Sequence, residues 1–224
     1  MAAIALRPRA ARLPAPVRRE QILDAAIDVF ARSGYRDAAT AVIAARLGVS
    51  EPTLFRHFPT KRALYLAAID RSAEVLIGRW RELAAAAPTP LAALFAVGEW
   101  YFGELARDSR HLLLRFRSYG ETADVEVAER VRRHFVTVFE LVLDLFTRAR
   151  DAGQIAAADP RAHAWLFMAI GGLLDTTQIL GLRDTLRLDE MPAIMQLAMP
   201  RATASPSTGR GTRGRTSPRR RTSR

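Results

Sequence analysis

Between residues 20 and 185 the apolar residues recur with a helical period. Ile22, Ala26, Val29 and Phe30 fall on one face of a helix, and Gly34 supplies a stop after it. The same spacing returns in Leu91, Leu94, Phe95, Gly98, Tyr101, Phe102 and Leu105, and again in Val127, Val131, Phe135, Val138, Val142 and Leu145. No segment alternates with a period of two. Breakers recur at Pro88, Pro90, Gly120, Gly153, Pro160, Gly181 and Pro192. The pattern predicts an all-α chain of about nine helices.

The densest local signals lie in ATAVIAARLGVSEPTLFRHFPTKRALY, residues 39–65. Thr40 is placed to cap a short helix running to Leu47, where Gly48 can take a positive φ and end it. Ser50 is the next expected cap, with Pro52 in the first turn, where a missing N–H costs little. That second helix should end near His57, because Pro59 disfavours helical geometry at Phe58. Thr60 then caps a long helix reaching about Ala87. Two short helices around a Gly-Val-Ser turn make a helix-turn-helix, packed through Ala44, Leu47, Val49 and Leu54 onto Ile22, Ala26 and Phe30. An ordinary αα-hairpin has the same outline, but the second helix is too short and too polar to exist for packing alone. Its outer face carries Glu51, Thr53, Arg56 and His57, which favours DNA binding.

EQILDAAIDVFARSGY (20–35) followed by IAARLGVSEPTLFRHFPTKRAL (43–64) resembles the N-terminal domain of tetracycline-repressor (TetR) family regulators. The resemblance covers roughly the first quarter of the chain. It implies an N-terminal three-helix bundle with a helix-turn-helix at 17–62, and a C-terminal helical ligand-binding and dimerisation domain at 63–200. Residues 51–57 would then be the recognition helix in a major groove. Thr40 and Lys61 would hold phosphates from the starts of their helices, with Phe55 against the sugar-phosphate backbone and Pro52, in the first turn of the recognition helix, among the DNA-binding residues. Most relatives have Tyr where Phe55 stands, so a hydroxyl-to-phosphate bond is missing. Thr53, Arg56 and His57 are the candidates for base or phosphate contact, and an arginine can read guanine with two bonds. Ala41 stands where a long polar residue is common. Glu51 can accept from cytosine N4 or simply favour the helix dipole. Arg18 and Arg19 either touch phosphates or form a solvated pair.

The expected helices at 91–107, 109–118 and 123–151 carry Phe95, Trp100, Tyr101, Phe102, Phe116, Tyr119, Phe135 and Phe139. These suit a chamber for a small apolar effector of acyl or aromatic type. The stretch 162–182 is apolar almost all round, with Gly171 and Gly172 at its middle, and such a helix must be covered on every side. Since the family dimerises through its last two long helices, 160–181 and 184–199 are expected to form a homodimer interface containing Trp165, Met168, Gly171, Gly172, Leu174 and Met195. A two-fold dimer reads two half-sites about one DNA turn apart.

Charge divides the chain. The whole carries +11, yet residues 1–19 hold five Arg and 201–224 hold eight, neither stretch with an acid. Residues 20–200 are therefore close to neutral. The first segment (1–16) is expected to be a disordered basic arm, with a faint likeness to a transit peptide. The last, rich in Ser, Thr, Gly, Pro and Arg, is expected to be a disordered tail. Arg outnumbers Lys 33 to one, as in proteins of GC-rich bacteria. Zero Cys removes disulfides, cysteine nucleophiles and cysteine-held zinc, and fits a reducing cytoplasm; as a DNA-binding regulator the protein is expected in the bacterial cytoplasm, associated with the nucleoid. The longest uncharged apolar run, Ala164 to Leu174, is eleven residues, short of the roughly 20 needed to span a bilayer, so no membrane partner is expected.

Enzyme signals are missing: the four His form no metal-binding pair, and there is no phosphate loop or nucleophile elbow. Glu126 and Glu129, one turn apart, are followed at i+4 by Arg130 and Arg133, which predicts a solvated ion-paired face. No catalytic residue, metal or cofactor is expected. The reading is a homodimeric repressor bound to an inverted-repeat DNA operator and released by ligand. The alternative is a non-specific DNA-coating or architectural protein driven by the Arg-rich tails.

Overall fold

The computed structural model describes residues 14–107, 109–156, 159–182 and 184–185, and all eight regular elements among them are α-helices. They are α1 (Ala15–Asp37), α2 (Thr40–Arg46), α3 (Glu51–His57), α4 (Lys61–Ala86), α5 (Pro90–Ala106), α6 (Arg110–Tyr119), α7 (Val125–Asp151) and α8 (Pro160–Ile179). Each matches an expected helix within a few residues. Of the expected helix at 184–199 only Asp184 and Thr185 are described, as a turn, and Met195 lies outside the described residues; so do the tail 201–224 and residues 1–13 of the expected disordered arm, whose last two residues, Ala15 and Pro16, instead begin α1.

Local chemistry sets the ends. Thr60 accepts a hydrogen bond from the Ala63 N–H at 3.0 Å, and Asp124 accepts from the N–H groups of Glu126 and Val127. Gly34 lies at φ 74°, ψ 177°, a conformation open to glycine alone, and breaks α1 one turn before its end. Gly48, at φ 63°, closes α2.

Two apolar cores are stacked along α4. The first gathers Ile22, Ala26 and Phe30 of α1, Ile43 and Ala44 of α2, Leu54 of α3, and Leu64, Tyr65 and Ile69 of α4. It also takes Leu114 from α6 and Val127 from α7, which the sequence periodicity did not assign to it. The second core holds Ala73, Leu76, Ile77 and Trp80 of α4 with Leu94 and Val97 of α5, Val142, Leu145 and Phe146 of α7, and Phe167 and Leu174 of α8. At 26 residues α4 is roughly 39 Å long, so one rigid element belongs to both cores.

Ion pairs stitch the cores together outside the apolar contacts. Arg62, in the first turn of α4, grips both carboxylate oxygens of Asp124 at 2.7 and 2.8 Å and reaches Glu126 at 2.9 Å. Arg110 of α6 bonds Asp28 at 3.1 Å and Asp24 at 3.3 Å on α1. Arg130 and His134 of α7 converge on Asp70 of α4. The α7 face is ion-paired as expected, although Glu129 pairs with Arg132 at i+3 instead of Arg133.

Candidate nucleic-acid interface and ligand cavity

Helices α2 and α3 meet through a four-residue turn, Leu47 to Ser50. Leu54 is fully buried and fixes α3 on the first core, while Pro52 and Arg56 are exposed and Thr53, Phe55 and His57 are half-buried. Phe55 packs partly against the core. The outer face of α3 is therefore available with its polar side chains outward. Arg56 bonds the Thr53 hydroxyl at 3.1 Å, and Ser50 shares a 3.0 Å bond with the same hydroxyl. Neither Thr40 nor Ser50 caps its helix as the sequence suggests. Ser50 occupies the cap position of α3 without a side-chain cap bond, and Thr40 is the first residue of α2, behind Ala39. The Thr40 hydroxyl instead donates to Glu51 at 2.5 Å, tying the start of α2 to the start of α3.

The flanking cations are anchored to backbone. Arg19 donates to the His57 carbonyl at 2.9 Å and lies 4.0 Å over the Phe58 ring, bracing the end of α3. Lys61 donates to the Arg36 carbonyl at 3.0 Å and sits 5.0 Å over Tyr35. Arg18 turns along its own helix to Gln21. Arg19, Thr40, Glu51, Arg56 and Lys61 thus border one head, built from residues spread over more than forty positions.

In the second core a cavity of about 410 Å³ opens between α4, α5, α6, α7 and α8. That volume lies within the range of pockets for small organic ligands. Phe95, Tyr101, Phe102, Phe116, Tyr119 and Phe135 all line it. Trp100 and Phe139 do not. Trp100 packs partly buried against the second core, and Phe139 is buried with its ring 5.0 Å from Trp165. A helix face wider than the cavity mouth explains both, since neighbours one position around the helix turn into the core.

Sequence reading missed the polar part of the wall. Asp175 of α8 is 3% exposed and accepts from the Tyr101 hydroxyl at 2.6 Å and from Arg115 Nη2 at 2.5 Å. The Arg115 Nη2 also donates to the Tyr101 oxygen. Burial pushes the Asp175 carboxyl above the usual carboxylate range, against the pull of Arg115 and the Tyr101 hydrogen bond. Burial likewise raises the Tyr101 phenol, which stays protonated. Arg115 holds its charge, so Asp175 and Arg115 form a buried ion pair with tyrosine as third member. A signal existed: Asp175 is the single charge between Ala164 and Leu182. A lone acid in an apolar helix demands a partner, though nothing in the sequence names Arg115.

Helix α8 has a second, outward face. Trp165, Leu166, Leu173 and Ile179 are 54, 51, 57 and 41% exposed, and Gly172 is exposed between them. Of the residues expected at a dimer interface, Trp165 stands on this face, and Gly172 is exposed there while also bordering the cavity. Met168, Gly171 and Leu174 turn inward and line the cavity, Leu174 being 4% exposed. The reason is the helical period: residues three and four apart from Gly171 face the chamber, not solvent.

A family model described as bacterial regulatory proteins of the tetR family matches residues 22–68. The transcriptional activator FasR of Mycolicibacterium smegmatis is 34% identical over 163 residues, 73% of this chain and 70% of that protein. A solved structure from work on the control of antibiotic production by bacterial hormones superposes with a TM-score of 0.70 at 26% identity, over 82% of this chain and 98% of that one. A TetR-family regulator from Agrobacterium tumefaciens superposes with a TM-score of 0.71 at 22% identity, over 84% and 100%.

Proposed function

The chain belongs to the TetR family of bacterial transcriptional regulators, and from that premise we propose that it is a homodimeric, ligand-released repressor of an inverted-repeat operator. In this reading residues 17–62 read DNA, residues 63–200 bind effector and dimerise, and the protein works in the bacterial cytoplasm on the nucleoid. Arg56, Thr53 and His57 contact bases or phosphates, while Arg18, Arg19, Thr40, Pro52, Phe55 and Lys61 hold the backbone and Glu51 sets the start of the recognition helix.

Helix α6 carries this reading. One side of it presents Arg115, Phe116 and Tyr119 to the cavity. Its other side buries Leu114 in the first core and ties Arg110 to Asp24 and Asp28 of α1. A ligand that presses on Phe116 and Tyr119 loads α6, and α6 is tied to the head through Leu114 and Arg110. Such coupling is typically worth about 1–3 kcal/mol, a 5- to 150-fold change in operator affinity. It acts doubly in a dimer, because the two recognition helices must keep one-turn spacing to engage both grooves. The outward apolar face of α8 supports the dimer, since contiguous exposed apolar surface of this kind marks an interface. FasR bears an activator's name. The same release would lower transcription wherever the operator lies upstream of its promoter, so the sign follows from operator position.

Footprinting of the full chain on DNA flanking its own gene, at about 150 mM salt to screen the basic segments, is expected to protect an inverted repeat. Uniform coverage of the fragment would favour the coating protein that the Arg-rich tails otherwise suggest.

A further inference from the structure

From Ala38 to Ile69, the stretch that holds α2, α3 and the start of α4, Glu51 is the one acidic residue among Arg46, Arg56, Lys61 and Arg62. Each of those four cations is held elsewhere. Arg46 pairs with Asp28 and Arg62 with Asp124, while Lys61 donates to the Arg36 carbonyl and Arg56 to the Thr53 hydroxyl. Among the described residues the half-buried Glu51 carboxylate takes one side-chain bond, from the Thr40 hydroxyl to Oε1 at 2.5 Å. Its Oε2 has no such partner, and no cation offsets its charge.

A carboxylate without a counter-ion in the first turn of α3 repels phosphate wherever the duplex lies. Repulsion of this kind raises specificity by penalising the wrong complex. A carboxylate also accepts and never donates, so its free oxygen can be satisfied by a donor alone. The donors on base edges in the major groove are the amino groups of cytosine and adenine, whereas guanine and thymine present acceptors there. Adenine sets an acceptor, N7, beside its amino group and so suits an amide. Cytosine N4 suits a carboxylate.

We propose that Glu51 is a specificity determinant of the head: its carboxylate selects a cytosine amino group in the major groove and disfavours DNA held by phosphates alone. Thr40 positions it, because the bond to Oε1 restricts the side chain and leaves Oε2 for the base. The inference rests on the α2–α3 head being the DNA reader, and it adds a base separate from the guanine assigned to Arg56.

The test is selection of binding sites by the full chain from a pool of random-sequence duplexes, at about 150 mM salt to screen the basic segments. Glu51→Gln keeps the size of the side chain and an oxygen for the Thr40 hydroxyl, but removes the charge. It should lose the preference for one C·G pair in each half-site, by about tenfold, with adenine or no base favoured instead. Glu51→Ala should lose the same pair. Against the unselected pool, Glu51→Gln should bind more tightly than wild type, with a salt slope steeper by about one. Selected sequences identical to those of wild type overturn the proposal, as does unchanged or weaker binding to the unselected pool. Loss of the same pair as in Arg56→Ala also overturns it, since Glu51 would then act through Arg56. A wild-type chain that selects no sequence fails the reader itself, so the two failures are told apart.

Discussion

The cations around the recognition helix divide by what already holds them. Lys61 and Arg19 are each fixed to a backbone carbonyl and an aromatic ring, so in the proposed complex they would meet DNA as pre-set charges. Arg56 is exposed and, among the described residues, bonded only to the neighbouring Thr53 hydroxyl, a partner that a guanine edge can replace. Arg56→Ala should therefore relax sequence preference, costing about 1–3 kcal/mol against the best operator and little against others. Lys61→Ala should weaken all sequences alike and reduce the salt slope by about one. Binding to operator and to scrambled DNA across a salt series separates the two, and identical behaviour of both variants would misplace the reading head. The side chains of this head were legible in sequence because spacing on a seven-residue helix fixes which ones face outward. The Thr40–Glu51 bond was not, since it depends on how two helices approach. The same holds for Arg115 and Asp175, sixty residues apart and paired only by the packing of α6 on α8.

Helix boundaries were readable from apolar period and from Thr60, Gly48 and Pro160, all short-range features. What joins the helices was not: among 33 arginines the sequence gives no ground for pairing Arg62 with Asp124. That pair clamps the start of α4, next to the recognition helix, to the start of α7. The Arg62 side-chain bonds, then the α7 N-terminal N–H groups, hold the Asp124 carboxyl at about 2, below its ordinary 3.8. A carboxyl depressed in the fold contributes stability that is fully present above 3.8 and is lost as pH falls toward about 2. The site is solvated, so the contribution is small. Arg62→Gln should flatten the melting temperature across that window relative to wild type, and parallel profiles for the two proteins would remove the clamp from the account. On α8 the outward face makes an independent prediction. Leu173, 57% exposed in the single chain, should become buried between protomers. Leu173→Glu should shift sedimentation from dimer to monomer with unchanged helical content. A variant that stays dimeric would move the interface off this face.

At the scale of the whole molecule, a nearly neutral body lies between two segments that together carry thirteen arginines. Charges of one sign attract any duplex, and each phosphate neutralised releases counterions whatever the sequence. The folded head offers the opposite economy, a few directional groups on a rigid helix. These two contributions separate with salt, because the tail's attraction is screened beyond about 8–10 Å at physiological ionic strength while hydrogen bonds to base edges are not. A truncation ending at Pro200 removes the eight arginines of the last segment and leaves all the described helices intact. It should lower affinity for arbitrary DNA and flatten the salt dependence, yet leave the protected inverted repeat in place and the effector response unaltered. The on-rate should fall more than the off-rate changes, since steering acts before docking. Loss of the specific footprint together with non-specific affinity would mean that the tail, not the helix-turn-helix, supplies the binding free energy.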